Sequence, residues 1–590
     1  MLRHGISTIA ILSLLLISGT SCTQNTAITR HELREHVGYL AADQLGGRKP
    51  GTEGGKKAAE YIRDRLKDYG LELMADNGFQ YFDLVTDAKA GDNNMLQINK
   101  EEAILRADFV PVSFTANKEL TAEVVFAGYG FDINKDTLQW DDYKEIDVEG
   151  KWVMMFRGDP EPGNPHSPFA AYAMLRSKVV TAEDHQAGGV LFVTPTKMKE
   201  EDRLHRISYD KTATRSDIPV LTITREMAGK ILSGRETTIQ KLEEKLNAHH
   251  QPESFATGKE ITARADVKLE KSTTQNVVAQ AQAPNSDDYV VIGAHYDHLG
   301  MGGPGSGSRI PDTSAVHNGA DDNASGVAGV IELAGKVQHE KDALKRNVIF
   351  VAFGAEEMGI IGAKHFVANL PVPKENISAM INLDMIGRMD QEEKSLSIGG
   401  TGTAKEFDSL LKSSKGTAEF ALATTPDGYG PSDHAAFYAE DIPVLFLSTG
   451  AHNDYHTPAD DAGRLDYKAQ EKVVQYAWRL TRDLAGTQQL TFQKSGSKNK
   501  TRRTQLKVTF GIIPDYSGKV KKGLGVDGVK DGGPAGKGGM KKGDIIVAIE
   551  GKPVGDIYEY MHRLQDLEAG QTISVDVLRD GEKKVLLLQL

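Results

Sequence analysis

The chain has 590 residues, a formal net charge of -12 and a single cysteine. A chain of this length outgrows one hydrophobic core, and about three to five units are expected. The acidic balance excludes a uniformly basic surface for wrapping nucleic acid, so no nucleic-acid partner is expected. The lone cysteine excludes an internal disulfide.

In chain order, residues 1–22 read as an export signal, with Arg3 and His4 ahead of the apolar run 6–17 and then Ser18, Gly19, Thr20 and Ser21 before Cys22. An apolar run of about 12 residues falls short of the about 20 that a permanent span needs. The segment resembles a bacterial lipoprotein signal, in which the cysteine becomes the lipidated first residue. Gly19 stands where that pattern usually has leucine, which leaves cleavage by an ordinary signal peptidase open. The expected location is exported, in the periplasm or at the outer membrane, with membrane contact only through a lipid on Cys22.

Residues 28–120 open a first domain. Leu33, Val37 and Leu40, then Ala59, Ile62 and Leu66, recur at helical spacing on either side of a glycine-rich turn at 46–55. Short apolar runs at 124–127, 152–156, 190–193 and 220–223, separated by Gly, Pro and Asp, predict a β-rich insert over 121–255. Over 256–490, strands at 289–292, 348–353, 377–383 and 444–447 alternate with helical stretches. That order predicts an α/β domain with a mostly parallel mixed sheet between helices. Val327, Val330, Ile331, Ala334 and Val337 form one apolar stripe, as a helix lying on that sheet should. Residues 491–504 carry Lys494, Lys498, Lys500, Arg502 and Arg503. They read as a solvated linker, or alternatively as a basic patch for lipid headgroups. The remaining 505–590 suit one small domain.

Metal-type side chains follow the strands of the second part. His295 and Asp297 come after 289–292, Glu356 and Glu357 after 348–353, Asp384 after 377–383, and His456 after 444–447. Ligands of open α/β sheets bind beyond the carboxyl ends of strands, so these side chains share one rim. Asp322, in the run Gly319 to Gly326 just before the striped helix, reaches the same place. Imidazoles and carboxylates without thiolate suit zinc first, with cobalt or manganese as alternatives. Five donors exceed one catalytic zinc, and two ions sharing a carboxylate would use them all. Glu356, beside Glu357, is then left as a base for water.

The runs GAHYDHLG, GADDNASG, GAEEMGIIG, INLDMIG and DYHTPADD resemble, in order and context, the bacterial zinc aminopeptidases related to glutamate carboxypeptidase and the transferrin receptor. The resemblance implies the zinc exopeptidase fold and two zinc ions. Asp322 would bridge them, Glu357 and His456 completing one site and His295 and Asp384 the other. Glu356 would be general base and then general acid, and Tyr455 would donate to the developing oxyanion. Asp297 would orient His295, and Asp460 would orient His456. A cis peptide would follow Asp322. His298, His317 and His434 are placed outside the metal set, as pocket-wall or hydrogen-bonding residues. Gly300 to Gly307 is expected as a rim over the site.

The insert resembles a protease-associated domain that caps the site or restricts substrates. The C-terminal unit resembles a PDZ domain, a β-barrel in which Phe510, Gly511, Ile512 and Ile513 occupy the place of the carboxylate-binding loop. Peptide substrates and a C-terminal peptide ligand are the expected partners. The function implied is hydrolysis of N-terminal peptide bonds. Competing readings are a carboxypeptidase on acidic dipeptides, a cyclising acyltransferase, and a non-catalytic peptide-binding ectodomain. Arg309, Arg388 and Arg464 are the cations a carboxypeptidase could recruit.

Overall fold

The computed structural model describes residues 27–590 except 136–137, 165–166, 199–200, 203, 205–206, 208, 210–213, 304, 393, 417, 487–489, 496–507, 515–519, 521 and 530–531. The leader with Cys22, and the basic residues from 498 to 503, lie outside the described residues. No helix among the described residues is long and apolar enough to cross a membrane.

A nine-stranded mixed sheet forms the main body. Its centre is parallel: Asn347–Phe353, Tyr289–His295, Ile377–Leu383 and Val444–Ser448 lie side by side. Antiparallel pairing flanks them, with Val267–Ala281 on one side and Ser395–Gly399 on the other. The central strands are almost wholly buried, as strands covered by helices on both faces must be. The helix Gly326–Glu340 departs from a simple stripe. Every residue from Gly326 to Ala334 is buried, because the helix is wedged between the sheet and the long helix Tyr467–Gly486. Glycines at 326 and 329 allow that fit: a Cβ on Gly326 would lie 2.4 Å from the Leu383 carbonyl oxygen.

The insert is wider than 121–255. Strands Met95–Ile98, Glu101–Glu102 and Phe109–Pro111 join the same eight-stranded sheet as Glu119–Ala127 and Ser254–Arg264. The unit therefore begins after strand Phe79–Ala90 and ends where Val267–Ala281 re-enters the main sheet. Apolar clusters cover both of its faces. The start of the expected linker also belongs to the body, since Phe492 bridges Ala404 and the Gln493 N–H donates to the Thr403 carbonyl.

The C-terminal unit is a small sheet in the order Ile512–Pro514, Leu524–Val529, Ile545–Ile549, Thr572–Arg579, Glu582–Gln589, closed by helix Ile557–Gln565 over its own core. That helix docks on the insert. Arg176 donates to Asp556 at 2.7 Å, both nearly buried, and Arg563 grips Asp184 with both guanidinium nitrogens.

Candidate metal centre

Three strand ends and two loops converge as the sequence predicts. His295 is the last residue of its strand, and Nε2 lies 3.4 Å from Asp322 Oδ1 and 3.6 Å from Asp384 Oδ1. On the other side of Asp322, Oδ2 lies 3.1 Å from His456 Nε2, which is in turn 3.3 Å from Glu357 Oε2. The two oxygens of Asp322 thus face two different sets of donors. Oδ2 is buried without a hydrogen-bond partner, and His295, Asp322 and Asp384 are close enough to hold an ion between them. An oxygen and nitrogen donor set of this kind fits zinc.

The turns that carry these donors depart from relaxed backbone. Ala355, Met385 and His456 are non-glycine residues with φ of 59°, 57° and 56°, and such conformations persist only where the surroundings impose them. The Asp322–Asn323 peptide is cis, as the resemblance implies. Asn323 ties this loop to the Asp384 strand: its Nδ2 donates to the Leu383 carbonyl, and its Oδ1 accepts from Met385 N–H.

Two supporting carboxylates act differently from expectation. Asp297 does not hold His295 with its side chain; the His295 ring is fixed by the Asp297 backbone oxygen, 3.2 Å from Nδ1. The Asp297 carboxylate instead accepts from the backbone N–H of Glu356 at 2.9 Å and of Glu357 at 3.3 Å. Asp460 likewise does not orient His456, whose Nδ1 meets the Gly307 carbonyl at 3.0 Å. Its carboxylate accepts from the N–H groups of Asp321 and Asp322 and so fixes the loop that carries Asp322. A carboxylate near a ligand can brace the backbone as well as a ring, and only the path of the loops decides which.

The electrostatics separate the two neighbouring glutamates. Burial pushes the Glu356 carboxyl well above the usual range; His295 opposes this, while Glu357, Asp433 and Asp384 add to it. Burial acts the same way on Glu357, but hydrogen bonds to His298 and His456 outweigh it and hold Glu357 well below the usual range. One carboxyl is suited to carrying a proton, the other to staying charged. Tyr455 stacks on His456 with ring centroids 3.9 Å apart, and burial raises its phenol, so it keeps its proton.

His298, placed outside the metal set by sequence, lies on it: Nδ1 is 2.8 Å from Glu357 Oε1. His317 is a rim residue, bonded to Ser308 Oγ and the Ala315 carbonyl. His434 stacks on Phe446, and Ser432 accepts from Asn382, so Ser432, Asp433 and His434 form no triad. Arg48, within the glycine-rich turn, was not foreseen. Fully buried, it donates to the carbonyls of Leu40, Tyr296, Asn318 and Gly319. It places a cation beneath the loops of His295 and Asp322. The only sequence signal was an arginine inside the run GGRKPGT. In the C-terminal unit, Ile512–Pro514 is an edge strand, while Phe510 is buried against Tyr560 and the Gly511 N–H is taken by Thr509 Oγ1.

Residues 276–481 match the model of Peptidase family M28, and residues 502–590 match that of the PDZ domain. An aminopeptidase of Bacillus subtilis (strain 168) is 24% identical over 486 residues, which is 80% of this chain and 87% of its own. An aminopeptidase of Pseudomonas aeruginosa (strain UCBPP-PA14) is 38% identical over 123 residues, 21% of this chain and 20% of its own. A solved aminopeptidase from Aneurinibacillus sp. strain AM-1 is 21% identical, covers 80% of this chain and 97% of its own, and has a TM-score of 0.49.

Proposed function

We propose, from the premise that residues 276–481 are a domain of peptidase family M28 and residues 502–590 a PDZ domain, that the chain is an exported two-zinc aminopeptidase. The observation that carries this reading is the division of Asp322, one oxygen toward His295 and the other toward His456. His295, Asp384 and Asp322 would hold one ion, and Glu357, His456 and Asp322 the other. Bound zinc supplies Lewis acidity, polarising a carbonyl and acidifying water.

The chain's own residues do the rest. Glu356 Oε2 stands 3.9 Å from His295 Nε2, at the edge of the donor cluster. Its raised proton affinity suits it to take a proton from the attacking water and return it to the departing amine. Asp297 keeps Glu356 and Glu357 in place through their backbone N–H groups. Tyr455, protonated and stacked on His456, donates to the oxygen that gains charge as the carbonyl is attacked.

The carboxypeptidase reading needs cations for an acidic substrate. Arg388 and Arg464 both bind Asp454, and Arg309 donates to the Asn453 carbonyl. A non-catalytic ectodomain would lack ligands or base, and all six side chains are present. Export and lipidation at Cys22 rest on the leader sequence. Strand addition of a peptide at Ile512–Pro514 is supported by its edge position. The test is a panel of free and N-acetylated peptides, with Glu356→Ala as control. Cleavage confined to free amines and lost in the variant is expected; equal cleavage of blocked peptides would sink the aminopeptidase reading.

A further inference from the structure

Three histidines meet the carboxylates of the centre, and their ring nitrogens separate them into two kinds. In His295, Nδ1 lies 3.2 Å from the Asp297 carbonyl oxygen; in His456, Nδ1 lies 3.0 Å from the Gly307 carbonyl oxygen. A carbonyl only accepts, so each Nδ1 carries a proton and each ring turns Nε2 toward Asp322, the nitrogen through which it would bind an ion. Both rings are oriented as ligands, by backbone.

His298 is reversed. Its Nδ1 faces Glu357 Oε1 at 2.8 Å and Asp322 Oδ2 at 3.7 Å, while its Nε2 is buried without a partner. If Nδ1 were the lone pair, the proton would sit on Nε2 as a buried donor with no acceptor, an arrangement folded proteins rarely contain. With the proton on Nδ1, the ring donates to Glu357 at ordinary hydrogen-bond length and leaves only an acceptor unsatisfied. Glu357 is then divided, Oε1 to His298 and Oε2 toward His456 at 3.3 Å. The ring is held in this place: a Cβ on Gly319, whose φ is 55°, would lie 2.5 Å from both Cγ and Cδ2 of His298. Gly319 opens the loop that delivers Asp322, so the loop and His298 fit only together.

We propose that His298 is a positioning residue, its Nδ1–H fixing Glu357 so that Oε2 alone faces the ion shared with His456 and Asp322. This inference rests on the two-zinc reading and adds a specific contact to it. With Oε1 engaged by His298, Oε2 is the oxygen left to Glu357 as a donor. The alternative is that His298 is itself a ligand, since donor atoms of His298, Asp322 and Glu357 all lie within 4.8 Å of one another.

The experiment uses the full chain with zinc alone as probe, titrated against a chromophoric chelator, for wild type, His298→Ala and His298→Asn. Asparagine supplies an amide N–H near the place of Nδ1–H. His298→Ala should loosen one of two zinc ions about 10- to 100-fold and leave the other unchanged. His298→Asn should recover most of that loss, and its cobalt-substituted form should keep the wild-type absorption spectrum. Thermal unfolding of the metal-free variants, expected to stay cooperative in each and to cost His298→Ala some stability for its lost bond, separates this from misfolding. Unchanged zinc affinity in His298→Ala overturns the proposal, as does an equal loss in both variants with a changed cobalt spectrum, which would make His298 a ligand. A wild-type chain binding a single zinc defeats the two-zinc reading on its own account; His298 is then judged by whether that ion loosens in His298→Ala.

Discussion

Replacing Asp460 by alanine removes the acceptor for the backbone N–H groups of both Asp321 and Asp322, bonds of 3.0 to 3.1 Å at a side chain with no exposure. Each buried N–H left without a partner costs about 1–3 kcal/mol, so Asp460→Ala should destabilise the fold by about 2–6 kcal/mol. That loss should appear in the metal-free chain, because the bonds brace backbone and involve no ion. Zinc affinity should fall as well, since the unbraced loop carries Asp322, whose two oxygens face both sets of donors. Asp460→Asn keeps one acceptor oxygen and should fall between the two. The assay is denaturant unfolding of metal-free wild type, Asp460→Ala and Asp460→Asn, followed by zinc titration of each. Had Asp460 served to orient His456, the metal-free proteins would be equally stable and only zinc binding would change. A metal-free Asp460→Ala chain within about 0.5 kcal/mol of wild type, the range of a neutral surface substitution, refutes the bracing argument.

Other perturbations test other parts of the account. Glu356→Gln should retain fold and zinc but lose about 10²- to 10⁴-fold in kcat, the usual contribution of a positioned acid–base, measured on a free-amine dipeptide. Arg48→Met leaves the carboxylates above it without their buried cation and should cost about 3–5 kcal/mol in denaturant unfolding; Arg48→Lys, retaining charge but not the forked donors, should recover only part. Glu183 and Glu559 line the cavity between insert and PDZ domain, and burial raises both to about 7, neighbouring acids adding to it. The folded state therefore holds these protons more tightly than the unfolded chain. The stability they contribute is complete below about pH 4.5 and is lost as pH rises through 7. Glu559→Gln should accordingly match wild type in thermal unfolding at pH 5 and exceed it at pH 8; a variant weaker than wild type at pH 8 would contradict this.

Much of the centre was legible because several of its donor side chains sit at strand ends. Burial of the central strands dictates near-continuous apolar runs, and the first polar residues beyond each run are placed on one rim by topology alone. His295, Glu357 and Asp384 could be read in this way, whereas His456 lies well past the end of its strand, on a loop. Partners set by loop paths could not. Asp297 lies two residues from His295 yet its carboxylate holds the backbone after a different strand, and Arg48 bonds carbonyls 248 to 271 positions away. His298 differs from His295 and His456 in which ring nitrogen faces the carboxylates, a property of three-dimensional placement. The insert's true limits were hidden for a related reason. Strands such as Met95–Ile98 are four residues long and gain their place from pairing with Ser254–Arg264, more than 150 positions on.

A zinc titration of the metal-free chain, read simultaneously as bound metal and as hydrolysis of a free-amine peptide beside its N-acetylated twin, tests the two-zinc aminopeptidase most directly. Two zinc ions per chain, activity that rises to its maximum with the second, and an inert acetylated peptide are the predicted result. Full activity at one equivalent, or cleavage of the blocked peptide at a comparable rate, would contradict it.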